Sequence, residues 1–518
     1  MNLINDFDHK EQHYDIIVIG GGLAGLRALE LFELENQKLE QQKQQFPQEL
    51  KQQQQQQKRI LLLESRDRVG GRTSSIRYQN YDWDVGGQWV GPTQHRVRAL
   101  LKQCGANTFP QQQIGRKVLE YKGLFNRYTG MVPNVQLLGS LECQLCIWRL
   151  EFMCSSIDPN APWTHKNAIY WDSMTVQQWM DKNMYTDFAK TLVRVSILAV
   201  FSSEPSELSF FYVLSYFSMA GGVMKTMDVK NGAQQDRILG GSLQLSVFLY
   251  EKNKRNILLS HPVIKISKLE AKGFSKVQCE NGKIFTCKKV IITLPPPLIN
   301  AIEFQPPLPE RKSILIQSMT MGQVIKFIIF YKECFWRDEG FSGEIVSDRS
   351  SISLIYDGSF EDGSKPSLIG FFEGEAAREW SKKTEDERKK EVTDILYDAF
   401  HQDKRVYLPI NYIEMNWMEE KYTKGGYAAT CNCNIFSKYG HTLREPIDDI
   451  HFAGTETATQ WPGYMEGALQ SAERVVNEIL NQNTSPVITN SNFQNTNILI
   501  VIISLIVLVI SYYLIVHK

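Results

Sequence analysis

Tyr14–Leu34 reads YDIIVIGGGLAGLRALELFEL. Its opening, YDIIVIG, is an apolar, β-rich run that predicts a buried strand. Gly20, Gly22 and Gly25 follow at G-x-G-x-x-G spacing, with Ala24 inside the turn. Leu23–Leu34 then repeats its apolar residues at helical spacing. The next apolar strand is Ile60–Glu64, ILLLE. Strand, glycine turn, helix and strand make the start of a dinucleotide-binding βαβ unit. The glycines allow a tight turn, close approach of backbone to a pyrophosphate, and close helix packing. The helix N-terminus offers free N–H groups and the positive end of its dipole to the phosphate. Glu64, at the end of the second strand, can accept from ribose hydroxyls. Taken alone, this unit serves a bound NAD(P) as well.

Helix and second strand are separated by a glutamine-rich insertion over 36–59, including Gln52–Gln57. The acidic residue of such a motif normally lies about 20 residues past the glycines. Here Glu64 is 39 residues past Gly25 (64 − 25). The excess is close to the length of the tract, which reads as looped out of the crossover. A helix extended into solvent is the other reading, and the sequence does not separate them.

Composition excludes several classes. The chain has 518 residues, 57 basic and 57 acidic, so no charge excess argues for nucleic acid. Nine cysteines are scattered without a disulfide framework. Cys143 and Cys146 have C-x-x-C spacing, but they sit among Leu141, Leu145, Ile147 and Trp148 with no second pair. They read as a buried helix or strand, and no metal site is expected. The N-terminus lacks the apolar core of a signal peptide and the Arg-rich character of a presequence. Ile498–Val516 is a 19-residue apolar run, roughly 28 Å as a helix and enough for one bilayer core. A polar stretch, 481–497, precedes it. The expectation is one C-terminal transmembrane helix that anchors a cytosolic body.

Two further glycine motifs decide against NAD. Glu64–Thr73, ESRDRVGGRT, places Gly70 and Gly71 in a second turn and brings Arg66 and Arg72 within reach of phosphate. Asp84–Gln94, DVGGQWVGPTQ, carries Gly87, Gln88 and Trp89. Phe452–Glu473 reads FAGTETATQWPGYMEGALQSAE. In this order the three stretches resemble the flavin-containing amine oxidase superfamily, closest to the tail-anchored monoamine oxidases. The match runs from Tyr14 to Leu480. It implies FAD, with Gly454, Thr455 and Glu456 along the ribityl and pyrophosphate. It also implies a helix from about Gly463, through Tyr464 and Met465, pointing its positive end at the flavin. Trp417, in NWMEE, falls on a family tryptophan near the flavin. HPVIKIS, from His261, is expected to return to the first domain and to place Val263 at the cofactor.

The same resemblance assigns the amine site. Tyr427, in KGGYAAT, and Tyr464, in WPGYMEG, fall on the two tyrosines that flank the substrate amine. Lys326, in MGQVIKFIIFY, falls on the lysine that holds a water at flavin N5; inside an apolar strand it needs a partner. Met227, Gln234 and Phe371 fall on the substrate cavity. One position departs from the animal enzymes. Their flavin-linking cysteine is Gly426 here, while Cys431 and Cys433 lie beyond Tyr427, so the FAD is expected to be noncovalent. Gln460 stands where those enzymes have histidine, which leaves substrate choice open.

The fold class implied is mixed α/β, a Rossmann-like FAD-binding domain interleaved with a substrate domain. Expected FAD-binding segments are 14–116, 231–300 and 415–480; substrate segments are 117–230 and 301–414. The leading function is oxidation of primary amines by O₂ to aldehyde, ammonia and H₂O₂. Polyamine oxidase and L-amino-acid oxidase are the near alternatives, although neither acidic channel residues nor a carboxylate-binding arginine stand out. An FAD-dependent desaturase or isomerase, and a non-catalytic flavin-binding membrane protein, are alternatives of another class. The cage tyrosines and Lys326 argue against both. The resemblance favours the mitochondrial outer membrane over the endoplasmic reticulum and leaves a homodimer open.

Overall fold

The computed structural model of the protein describes residues 13–45, 56–133, 135–269, 273–349 and 351–481. Of these, the residues up to Asn477 pack as one compact unit.

The first large sheet is built around the expected βαβ unit. His13–Ile19 pairs in parallel with Ile60–Leu63 on one side and with Ile284–Ile292 on the other. Ile257–Leu258 extends the sheet beyond Ile60–Leu63, and Ile450–Phe452 pairs in parallel with Ile284–Ile292. Phe274–Cys279 and Val263–Leu269 continue it as antiparallel strands. Parallel strands covered on both faces carry unbroken apolar runs. Ile16–Ile19 and Ile60–Leu63 do so, and all eight are buried. Four parallel strands end on the same side, at Gly20, Glu64, Thr293 and Gly454. Ligands of open α/β sheets bind outside such strand ends.

The second large sheet runs in the order Asn411–Asn416, Val324–Phe330, Ser367–Glu373, Leu354–Asp357, Phe341–Ser347, Arg116–Tyr121, Leu124–Tyr128. Val324–Phe330, VIKFIIF, is buried at every position and pairs antiparallel with both neighbours. That register puts Lys326 opposite Phe371 and Val324 opposite Glu373. Helices Leu137–Ser155, Asp187–Phe201, Phe210–Met219 and Val223–Met227 supply further walls of the central cavity.

The glutamine-rich tract begins as helix. Leu23–Gln45 is one helix of 23 residues, and every residue from Glu40 to Gln45 is exposed. Asn36 ties its middle to the returning chain, donating to the Lys58 carbonyl at 2.9 Å and accepting from the Lys58 N–H at 2.8 Å. Buried Leu39 adds one more contact. Of the two readings, extension of the helix therefore holds as far as Gln45; residues 46–55 lie outside the described residues. Among the described residues no helix is long and apolar enough to cross a membrane. The expected linker (apart from Asn481) and the run Ile498–Val516 lie outside them.

Candidate active site

A continuous cavity of about 350 Å³ runs from the glycine turn to the two tyrosines. At its first end the strand His13–Ile19 turns at Gly20, with φ +107° in the region that favours glycine. A Cβ at Gly20 would meet the Thr293 hydroxyl at 2.6 Å. Gly22 instead faces open space, with nothing within 4 Å of where a Cβ would stand. Glu64 is buried, and its Oε2 accepts from the Gly21 N–H at 2.5 Å. Its Oε1 accepts from the Arg66 N–H at 2.8 Å. The carboxylate thus braces the turn from beneath. The second turn docks against the first, where the Gly70 N–H donates to the Gly21 carbonyl at 2.9 Å.

Both expected phosphate arginines line the cavity, each already engaged on one side. Arg66 donates to Glu420 at 3.0 Å and to the Thr423 hydroxyl at 2.6 Å. Arg72 grips Glu456 in a bidentate pair, at 2.6 and 3.1 Å, and also donates to the Tyr427 carbonyl at 2.9 Å.

At the other end Lys326 is buried, with 2% of its surface exposed. Its Nζ donates to the Gly86 carbonyl at 2.9 Å and to Gln88 Oε1 at 2.6 Å. The rings of Trp89 and Phe371 each lie 5.8 Å from it. Burial holds its pKa well below that of an ordinary lysine, while the negative charge of buried Asp84 pulls the other way. Trp417 packs beneath, donating to the Val85 carbonyl at 2.8 Å. Tyr427 meets Phe371 edge-on at 5.9 Å, and Tyr464 lies 6.3 Å from Tyr216 and 5.0 Å from Trp461. Burial raises the pKa of both Tyr427 and Tyr464, so both stay neutral phenols.

Most residues expected from sequence meet in this one space. Gly20, Gly22, Ala24, Glu64, Arg66, Gly71, Arg72, Gly87, Gln88, Trp89, Lys326, Trp417, Tyr427, Gly454, Thr455, Gly463, Tyr464 and Met465 line it, together with Met227, Gln234 and Phe371. Gly25, Val263 and Glu456 are not among the lining residues. A side chain at Gly25 would collide with the Gly20 carbonyl, so its role is packing of helix on turn. Val263 packs into the sheet core with Ile17, Leu61 and Phe285. The Glu456 carboxylate is turned onto Arg72 and the Ala429 N–H. Gln460 is exposed and bonded to Arg96, so its difference from histidine does not reach the cavity wall.

Carboxylates that sequence reading missed also line the cavity. Glu373, Glu344 and Asp228 are all there. Glu344 makes an ion pair with Lys117 at 2.9 Å. Glu373 is buried and accepts from the Tyr427 hydroxyl and the Ser353 hydroxyl, each at 3.1 Å. Burial raises its pKa to about 7. Tyr216 and Tyr356 are further aromatic walls. Pairing across a folded sheet, not local pattern, brings these residues in; Glu373 merely ends an apolar run, SLIGFFE, where a glutamate normally marks the exit to solvent. Among the described residues no cluster could hold a metal ion.

The residues present fit FAD. The side-chain-free surfaces at Gly22 and Gly87 leave room for a ligand against the backbone. Gln88 Nε2 is buried and meets no acceptor among the described residues, so a donor is left for a ligand. A glycine turn and two arginines, an aromatic box with the buried Lys326, and the start of the helix Met465–Leu480 all line this one cavity.

Residues 48–480 match the family model of flavin containing amine oxidoreductases. A probable flavin-containing monoamine oxidase A of Dictyostelium discoideum is 35% identical over 468 residues, covering 90% of this chain and 97% of that protein. A flavin-containing amine oxidase of Oncorhynchus mykiss is 35% identical over 471 residues, covering 90% of this chain and 86% of its own. Among solved structures, cyclohexylamine oxidase from Brevibacterium oxydans matches with a TM-score of 0.81 at 25% identity, covering 90% of this chain and all of its own. Putrescine oxidase bound to putrescine shares the fold, with a TM-score of 0.82 at 24% identity over 91% of this chain and 99% of its own.

Proposed function

The chain belongs to the family of flavin-containing amine oxidoreductases, and from that membership we propose an oxidase of small primary amines with noncovalently held FAD. As a member of the family it is an FAD-dependent enzyme of oxidative deamination: amine, O₂ and water give aldehyde, ammonia and H₂O₂. FAD, when bound, supplies the two-electron acceptor and the site of reaction with O₂.

The observation that carries the reading is the meeting of Tyr427, Tyr464 and Lys326 on one cavity wall system. Two neutral phenol rings present π faces to an amine and hold its N–H groups in one orientation. Lys326, fixed by Gly86 and Gln88, is buried, so its charge acts with little screening when it is protonated, and burial brings its pKa down to about 7. Arg66 and Arg72 serve phosphate, and their bonds to Glu420 and Glu456 hold the guanidinium planes in place. The substrate end is mostly apolar, with Ile147, Leu192, Val195 and Phe371. This suits an alkyl or aromatic amine.

A diamine or polyamine is the second reading, favoured by the cavity carboxylates. Glu344 is already neutralised by Lys117, which leaves less negative charge for a distal ammonium and favours the monoamine. H₂O₂ release from tyramine, benzylamine, spermine and L-amino acids separates the readings. Highest kcat/KM on spermine overturns the monoamine assignment.

Gly426 precedes Tyr427, and neither Cys431 nor Cys433 lines the cavity. Cys143 does, but burial lifts its thiol to about 11, which keeps it protonated. Acid denaturation should therefore release the FAD through a filter; yellow colour retained with the polypeptide contradicts noncovalent binding.

Interleaved FAD and substrate domains, a tail anchor at Ile498–Val516 and a cytosolic body complete the proposal, with the mitochondrial outer membrane preferred. The apolar run supports the anchor. A row of exposed apolar residues on the helix Leu137–Ser155 supports contact with lipid independently: Leu138, Leu141, Leu145, Trp148 and Phe152 recur at three- and four-residue spacing.

A further inference from the structure

Glu373 is a buried carboxylate in the amine cavity with 3% of its surface exposed. Ionised carboxylates are seldom buried without a cation. Among the described residues no cationic side chain offsets it; the Tyr427 and Ser353 hydroxyls donate to it, and the buried Ser202 hydroxyl also acts on it. The groups around it are accounted for. Glu204, from the turn after the helix Asp187–Phe201, is tied to Arg194 by two bonds of 3.0 Å. Tyr356, on the strand Leu354–Asp357, is a neutral phenol. Glu344 holds Lys117. Lys326 lies two positions along the paired strand and is turned to Gly86 and Gln88. An entering ammonium would supply the cation that the ionised carboxylate lacks.

An alkylamine reaches the site as an ammonium, since its pKa is near that of lysine, about 10. Oxidation at the α-carbon needs the nitrogen lone pair, so one proton must leave first. Resting on the amine-oxidase reading above, we propose that Glu373 is the general base that takes this proton directly from the entering ammonium. One N–H bond breaks and its electron pair stays on nitrogen. The proton joins a carboxylate oxygen, giving a free amine beside Tyr427 and a neutral carboxylic acid. Nothing is oxidised or reduced in this step. The hydroxyls of Tyr427 and Ser353 orient the carboxylate, and donation from both favours its ionised form. The acceptor form exists above the pKa of Glu373, which burial places at about 7. Rate therefore falls as pH drops through that value.

The test uses the FAD-loaded enzyme with Glu373→Gln, which keeps shape and hydrogen bonding. In the wild type, kcat/KM for benzylamine should fall on the acid side with an apparent pKa near 7. In the variant that limb should vanish, kcat/KM at pH 7 should drop on the order of 10²-fold, and the residual rate should rise tenfold per pH unit with free amine in solution. A fluorinated amine of low pKa should recover most of the loss. Calorimetry with tert-butylamine, which has no α-hydrogen and cannot turn over, supplies a readout independent of activity. Wild-type affinity should weaken as pH falls from 8 to 6, and Glu373→Gln should abolish that dependence. Ser353→Ala removes one donor and should shift the acid limb upward; it decides the matter if the glutamine variant does not fold. An unchanged acid limb in Glu373→Gln, or an unmoved one in Ser353→Ala, overturns the proposal. If the wild type oxidises no amine, the functional reading fails, and the tert-butylamine titration still decides whether Glu373 receives a cation.

Discussion

At the scale of single residues, Lys326 was legible because a cation inside VIKFIIF demands an explanation. What explains it was not legible. Lys326 bonds to Gly86 and Gln88, some 240 residues earlier in the chain, and feels the charge of Asp84. Asp84 is itself buried, held by Ser75 at 2.8 Å and by the Ser242 N–H at 2.8 Å. Methionine at 326 would keep the volume of the stem but strip Asp84 of its cation. Burial raises the Asp84 pKa, so the folded state binds its proton more tightly than the unfolded state, and stability falls as pH rises. Losing the lysine should steepen that fall. We expect Lys326→Met to cut kcat at least tenfold, on the order of one lost electrostatic contact of a few kcal/mol. Its deficit in melting temperature should widen from pH 5 to pH 9. Adding Asp84→Asn should restore melting temperature at pH 9 and leave kcat low. If the double variant regains turnover, or if both rates of stopped-flow half-reactions in Lys326→Met stay within twofold of wild type, the lysine is structural only. Glu373 lay beyond sequence reading because its meaning depends on Tyr427, 54 residues away and on another element.

At the scale of elements, strands and glycine turns read well because their signals are local. Apolar runs of the parallel strands and the spacing of Gly20, Gly22 and Gly25 need no partner to be recognised. The crossover was harder. Its tract continues the helix Leu23–Gln45, whose glutamines have good helical propensity, while Asn36 and Lys58 clamp the two arms together. Deleting the whole tract 36–59 would cut into this helix and remove buried Leu39. Deletion of 46–55, which spares Asn36, Leu39 and Lys58, should leave FAD content and kcat within about twofold, since each doubling of loop length costs only about 0.6 kcal/mol. Absorbance at 450 nm per polypeptide measures this; a colourless product would show that the segment supports the cofactor fold. Arg72 is the element-level clip that motif reading under-described. It joins the ESRDRVGGRT turn to both Glu456 and the Tyr427 carbonyl.

At the scale of the whole molecule, the terminal apolar run and the enzyme body are separable by composition, with a polar stretch between them. Truncation before Ile498 should yield a protein that stays in the supernatant after a carbonate wash and keeps wild-type kcat. If it still pellets with membranes, the tail is not the anchor, and the exposed row from Leu138 to Phe152 becomes the site to change. Family, cofactor and βαβ unit were all written in the chain's linear order, because glycine geometry, apolar period and motif spacing act over a few residues. Folding alone decided which carboxylates enter the cavity, that Glu344 is neutralised and Glu373 is not, that Arg72 spends its fork on Glu456, and that Gly25, Val263 and Glu456 stand behind the wall. Those outcomes depend on burial and on partners tens to hundreds of residues apart. Charge in a protein interior takes its energy from such neighbours, not from its own place in the sequence.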